Sequence, residues 1–221
     1  MIAGTRFRVR YAKDGTARFI GHLDLVRVFD RTLRRAGIPV AYSQGFHPHP
    51  KISFGPPLPL GMRSVAEYVD FSLSVPCRNI ASLLARAMVE GMEVLSIRPV
   101  AEKAESLTKI ITLAEYRIRC ETDDMLAGRI NDILGSERIM AKRVTKSGPK
   151  ELDIRPGILE LAVTPEGDGI RMLLGLEAGK SARPPEVIDL LIEPDRLFEV
   201  TRTEQYAEME GRRVSPMEIV R

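Results

Sequence analysis

AEYVDFSLSVPCRNIASLLARAMVEGMEVLSI, residues 66–97, changes hydrophobic period twice. Val69, Phe71, Leu73 and Val75 alternate with neighbours, as a strand with one buried face requires. Ile80, Leu83, Leu84, Ala87 and Met88 then recur at helical spacing, Gly91 stops that helix, and MEVLSI resumes as strand. Working outward, Phe7, Val9 and Tyr11 alternate with Arg6, Arg8 and Arg10 in TRFRVRYA, which predicts a strand that buries one face and presents three guanidinium groups on the other. From about residue 22 to 36, Leu25, Val26, Phe29, Leu33 and Ala36 cover one side of a helix. Arg27, Arg31, Arg34 and Arg35 fall within an arc of about 100° opposite, with Asp24 among them, and Gly37 ends the run.

With the short strand KISF (51–54), the first half reads strand, helix, strand, strand, helix, strand, the ferredoxin-like order. After a polar connector the order recurs: strand 112–120, helix 122–134 between Thr122 and Gly135, strands near 138–145, 150–155, 158–164 and 169–176, helix 184–192 and strand 197–203. The expected fold is α+β, with two tandem ferredoxin-like (βαββαβ) modules, the second carrying an extra β-hairpin. The expected domains are a basic module over 1–98, a connector over 99–110, a second module over 111–204 and a polar C-terminal tail over 205–221.

YSQGFHPHPKISFGPPLPLG, residues 42–61, holds five prolines and two of the three histidines. Proline fixes φ and removes a backbone donor, so no helix runs through it; a shaped loop is expected, presenting Ser43, Gly45, Phe46, His47, Pro48, His49 and Pro50. The third histidine lies in RFIGHLD (18–24), at the mouth of the first helix. His22, Asp24, His47 and His49 are ligand types that hold Zn²⁺ or Fe²⁺, although their spacing matches no closed zinc pattern. His22, Asp24 and His49 are equally the candidates for general acid–base catalysis, since imidazole titrates near neutrality. The alternative is structural, with His22 helping to cap the helix and His49 bonded within the loop.

The two segments together resemble the radical SAM-linked (radical SAM-associated) protein family, with KSGPKELDIRPGI (146–158), SARPPEV (181–187) and VTRT (200–203) as later landmarks. That family more usually has asparagine where this chain has His47. The resemblance implies an accessory protein encoded beside or fused to a radical SAM enzyme, which would itself carry the iron–sulfur cluster and SAM. This chain is expected to bind no cofactor of its own. Its only cysteines, Cys77 and Cys120, cannot supply the three closely spaced thiolates of such a cluster, and their separation reads as reduced core thiols.

The charge is asymmetric. Residues 1–63 hold eleven Lys and Arg against three Asp, a net +8, whereas the remainder holds 22 against 27, a net −5. A segregated positive field attracts polyanions such as RNA. The candidate nucleic-acid contacts are Arg6, Arg8, Arg10, Arg27, Arg31, Arg34, Arg35 and Lys51, together with Arg143, Lys146, Lys150 and Arg155 of a hairpin turning at Ser147, Gly148 and Pro149. The chain has no Trp and no exposed ring platform on its first strand, so RNA contact is expected to favour backbone and shape, with Phe46 and Phe54 the exceptions. Phosphate-loop, dinucleotide-binding, nucleophile-elbow and H-E-x-x-H motifs do not occur in the sequence. No run spans a bilayer and the amino end has no signal core, so a cytoplasmic location is expected. Three functions follow: a non-catalytic adaptor for a radical SAM enzyme that binds RNA or a ribonucleoprotein, an RNA-processing or RNA-modifying enzyme component, and a pure protein-interaction module.

Overall fold

Alternation of aromatic and apolar residues with arginine makes β1 (Arg6–Lys13) the central strand of the first half. The computed structural model describes residues 6–145 and 148–220 and divides the chain into two units, Met1–Ile111 with Gln205–Arg221, and Thr112–Glu204. It is a mixed α+β protein, mostly sheet with few helices. No helix of the described residues is long and apolar enough to cross a membrane.

In the first unit β1 is followed by a 3-10 turn (Gly15–Phe19), α1 (His22–Arg35), β2 (Ile52–Phe54), β3 (Arg63–Ser72), α2 (Ile80–Ala87), β4 (Met92–Val100) and the single turn α3 (Leu107–Ile110). Strand order is β4–β1–β3 with β2 also on β3, all antiparallel. The register sets Phe7 opposite Phe71 and Val9 opposite Val69, so one apolar face forms. Helix α1 lays Leu25, Phe29 and Leu33 on that face, and Leu84 of α2 joins them; all four are buried. Each such side chain contributes about 1.5–3 kcal/mol through removal from water. Gly91 closes the layer. Its φ of +80° and a carbonyl that accepts from the Asp14 N–H at 2.8 Å leave no room for a side chain, since a Cβ would sit 2.5 Å from Asp14 O.

The second unit runs β5 (Leu113–Arg119), α4 (Asp124–Gly135), β6 (Met140–Thr145), β7 (Gly148–Asp153), β8 (Ile158–Val163), β9 (Gly169–Gly175) and α5 (Pro184–Leu191). Strands β5, β9 and β8 are neighbours in that order, while β6 and β7 form a separate two-stranded sheet. Helix α4 is capped by Asp123, whose side chain accepts from the Leu126 N–H, rather than by Thr122. The three later sequence landmarks are structural here. Gly157 packs so closely on Ser181–Ala182 that a Cβ would lie 2.3 Å from Ala182 N, and Arg143 grips Ser181 O at 2.8 Å. Arg202 of VTRT is buried on the Tyr116 hydroxyl at 3.0 Å.

Strand β10 (Glu199–Met209) begins beside β5, and from Gln205 it belongs to the first unit, where it lies beside β3 and pairs with β11 (Arg212–Val214). Residues 205–220 are therefore strand and packed turn, not the polar tail expected from their composition. A 3-10 turn at Pro216–Glu218 and the connector around Ala104 and Leu107 pack in this unit, where Ala104, Leu107, Pro216 and Met217 are buried. Their carbonyls take the arginines of the second sheet face, which corrects the expectation of three open guanidinium groups on β1. Arg8 is wholly buried: Nε and Nη2 donate to the two Asp70 carboxylate oxygens at 2.9 and 3.0 Å, and Nη1 donates to Pro216 O and Ile219 O. Arg6 donates to Asp70 Oδ2 and Ala104 O, both at 2.7 Å. Arg10 donates to Val65 O at 2.9 Å.

Candidate functional site

The proline-rich segment folds as a short finger. Ala41 and Lys51 bond across its base, with Lys51 N–H donating to Ala41 O at 2.8 Å, and Tyr42 pairs with Pro50 in an isolated bridge. Ser43 then closes the neck twice: its N–H donates to His49 O at 2.8 Å, and its Oγ accepts from the His49 N–H at 2.9 Å. The tip from Gln44 to Pro48 is exposed, Gly45 turns it with φ of +128°, and Phe46 stands out with its whole side chain in solvent. After the neck the chain becomes β2 on the edge of β3.

Two contacts seat the finger on α1. The Tyr42 hydroxyl lies 3.4 Å from Asp30 Oδ1, and the Arg34 guanidinium sits over the Tyr42 ring at 5.9 Å while its Nε donates to Asp30 at 3.0 Å. The hydrogen bond and charge of Asp30 hold Arg34 even more firmly protonated than an ordinary arginine. The neck thus lies against the C-terminal half of α1. At the N-terminal end of the helix, His22 sets its ring edge-on to Phe54 at 5.7 Å, Phe54 meets Phe29 at 5.3 Å, and Phe29 meets Tyr11 at 5.0 Å. Phe54 therefore anchors the segment to the core.

This arrangement separates the histidines. His22 belongs to the Phe54 end, while His49 closes the neck of the finger, which leans on Asp30 and Arg34 of α1. Among the described residues no three His, Cys, Asp or Glu side chains group so as to hold a metal ion, so His22, Asp24, His47 and His49 do not converge on one site. His22 does not cap α1 either. Gly21 is the N-cap and makes no side-chain bond, and Asp24 in the first turn pairs with Arg27 at 3.3 Å. The rings of His47 and His49 are exposed. Beside His22 lies a cavity of about 10 Å³ lined by Tyr11, Lys13, Phe54 and Glu67, room for about one water molecule.

The basic candidates divide between packing and surface. Arg6, Arg8 and Arg10 serve the fold, and Arg35 donates to Ala87 O. In the second unit Arg143 is held by Glu186 in a two-pronged pair at 2.5 and 2.7 Å. Burial resists ionisation of Glu186, but hydrogen bonds from Arg143 and the Arg183 N–H outweigh it and bring the carboxyl below its ordinary range. Arg155 spans Leu134 O and Ile158 O. Lys150 is exposed on β7, and Lys146 lies outside the described residues. Arg27, Arg31 and Arg34 remain exposed along α1, and Lys51 is exposed with no partner for its ammonium group among the described residues. A cleft of about 290 Å³ beyond Lys51 is lined by Arg6, Ser53, Asp70, Ser72 and Glu102; two cations and two carboxylates cancel there, so it has no preference for anions.

Sequence reasoning missed Asp70 and Tyr42. Asp70 sits in an otherwise apolar strand opposite Arg8, and an acid at that position was a signal for a buried ion pair. Tyr42 carries no signal of its own in the sequence, yet it joins finger to helix through Asp30 and Arg34.

A family model described as an uncharacterized protein conserved in bacteria (DUF2344) matches residues 6–184. No curated protein matches the chain. Among solved structures, the small subunit of acetolactate synthase from Thermotoga maritima is similar at 10% identity with a TM-score of 0.27, over 95% of this chain and 99% of that one.

Proposed function

The chain belongs to the DUF2344 family, and we propose that it acts as a non-catalytic adaptor whose first unit holds RNA, or the RNA of a ribonucleoprotein, on the outer face of α1 and the adjoining finger. One observation carries this reading: Arg27, Arg31 and Arg34 are exposed at successive turns of α1, while the sequence has no carboxylate between Asp30 and Glu67. Guanidinium groups at that spacing suit a phosphate backbone, which is contacted by charge and hydrogen bonds without regard to base identity. The separated histidines disfavour the acid–base reading, which needs His22, Asp24 and His49 within hydrogen-bond reach of one substrate atom. The finer fold assignment, two ferredoxin-like modules in tandem, is supported by the β4–β1–β3–β2 neighbours of the first unit and the β10–β5–β9–β8 neighbours of the second, with β6 and β7 as the added hairpin.

Three or four phosphate contacts should make log affinity for single-stranded RNA fall with log salt at a slope of about −2 to −3, since each contact releases about 0.7 of a counterion. Titrations of a labelled oligonucleotide across salt concentrations read this directly, and an affinity flat with salt would sink the proposal. The adaptor would present its RNA to a radical SAM enzyme, which must supply the cluster because Cys77 and Cys120 are single thiols in different units. Affinity purification from native cells should recover an iron–sulfur protein with the chain; recovery of the chain alone, after crosslinking, counts against that partner.

A further inference from the structure

We infer that Phe46 is a stacking platform for an unpaired nucleobase, so that the RNA held by this surface is single-stranded where it meets the finger. The inference rests on the RNA reading above and goes beyond it, because phosphate contacts alone accept paired and unpaired strands alike. Phe46 is more exposed than any other large apolar residue described, at 103% of its reference area. A solitary exposed ring means little in itself. What distinguishes this one is the construction beneath it. Two hydrogen bonds between Ser43 and His49 close the neck, the Tyr42–Pro50 bridge sets its base, and Pro48 and Pro50 limit the backbone. Tyr42 ties the whole to α1 through Asp30 and Arg34. The chain has therefore been stiffened around a ring that contributes nothing to packing, which lowers the entropy lost when a flat partner settles on it.

The neighbours choose the partner. Gln44, His47, His49 and Lys51 are polar or cationic, and no other large exposed apolar residue is described between Gly37 and Pro59. A protein anchor works inside an apolar patch that excludes water, which this tip lacks. Base stacking needs one ring face and nearby cations for the phosphate, which it has. At most ~14 Å of chain separates Tyr42, under Arg34, from Phe46, so a phosphate on Arg34 and a base on Phe46 can belong to one short strand.

The test compares a labelled single-stranded oligoadenylate with a blunt RNA duplex, using the whole chain and the variants Phe46→Ala and Phe46→Tyr. Phe46→Ala should weaken single-strand binding roughly tenfold or more with an unchanged salt slope, Phe46→Tyr should retain it, and duplex binding should not respond to either. If single-strand affinity survives Phe46→Ala while charge reversal on α1 lowers it, the RNA reading stands and the stacking inference falls. If the unaltered chain binds neither probe at low salt, both fall. If Phe46→Ala spares RNA but removes a co-purifying protein, the ring is a protein anchor and the inference is overturned.

Discussion

Replacing Asp70 with alanine is expected to cost the chain about 3–5 kcal/mol of stability, the usual penalty for removing one member of a buried ion pair. The pair is nearly dry: the Arg8 and Asp70 side chains are 0% and 1% exposed. Truncating Asp70 deletes three hydrogen bonds, two from Arg8 and one from Arg6, and leaves the Arg8 guanidinium buried without a counter-charge. The loss would consume a large part of the 5–15 kcal/mol that holds a typical domain folded. Arg8→Met combined with Asp70→Leu should recover part of it: exchanging the whole pair for apolar groups of similar size leaves no unpaired charge at those two positions and Arg6 keeps Ala104 O, but Pro216 O and Ile219 O lose the Arg8 donor. Urea unfolding of the three proteins measures this. A loss below about 1 kcal/mol for Asp70→Ala would mean that water reaches Arg8.

The same pair shows where sequence reading reached its limit. Alternation in TRFRVRYA correctly separates Phe7, Val9 and Tyr11 from the arginines, because a strand must place neighbours on opposite faces. Nothing in that period says what covers the second face. The cover comes from residues 101–107 and 216–219, distant in the chain, and it turns a predicted open surface into an interior with its own ion pair. Residues 205–221 were opaque for a related reason. Val200 and Arg202 are buried at period two, and so are Gln205 and Ala207, but the phase shifts by one residue between 202 and 205. A single window sees no strand across such a shift, and the polar residues on either side then suggest a tail.

Helix α1 was legible because its signals agreed: a wide apolar stripe, a basic opposite arc, and Gly37 at φ +66° just past the end. The histidine constellation was not, since closeness along the sequence says nothing about which end of a helix each residue meets. His22 reaches Phe54, whereas the finger bearing His47 and His49 leans on Asp30 and Arg34, eight and twelve residues further along the helix, or about 12 to 18 Å.

Reversing two charges on α1 should show whether that helix is a binding face. Arg27→Glu with Arg31→Glu is the informative pair. Among the described residues Arg27, 75% exposed, pairs with Asp24, and Arg31 donates to the Arg27 carbonyl. Arg34 and Arg35 are poorer choices, because the first holds Tyr42 and the second holds Ala87, so their loss would disturb the finger or the helix end as well as the charge. Stability should move by no more than about 0.5 kcal/mol, as exposed substitutions usually do. RNA affinity should fall roughly 100-fold at about 0.05 M salt, since two lost phosphate contacts remove nearly two powers of ten there, and the new carboxylates add repulsion. The salt slope should drop with it. That joint change separates lost ionic contacts from a disturbed fold, which would alter affinity without this change in slope. Unchanged affinity in the folded double variant would reduce the arginine arc to a solvated helix face, leaving the β6–β7 hairpin, where Lys142 and Lys150 are exposed, as the next place to look.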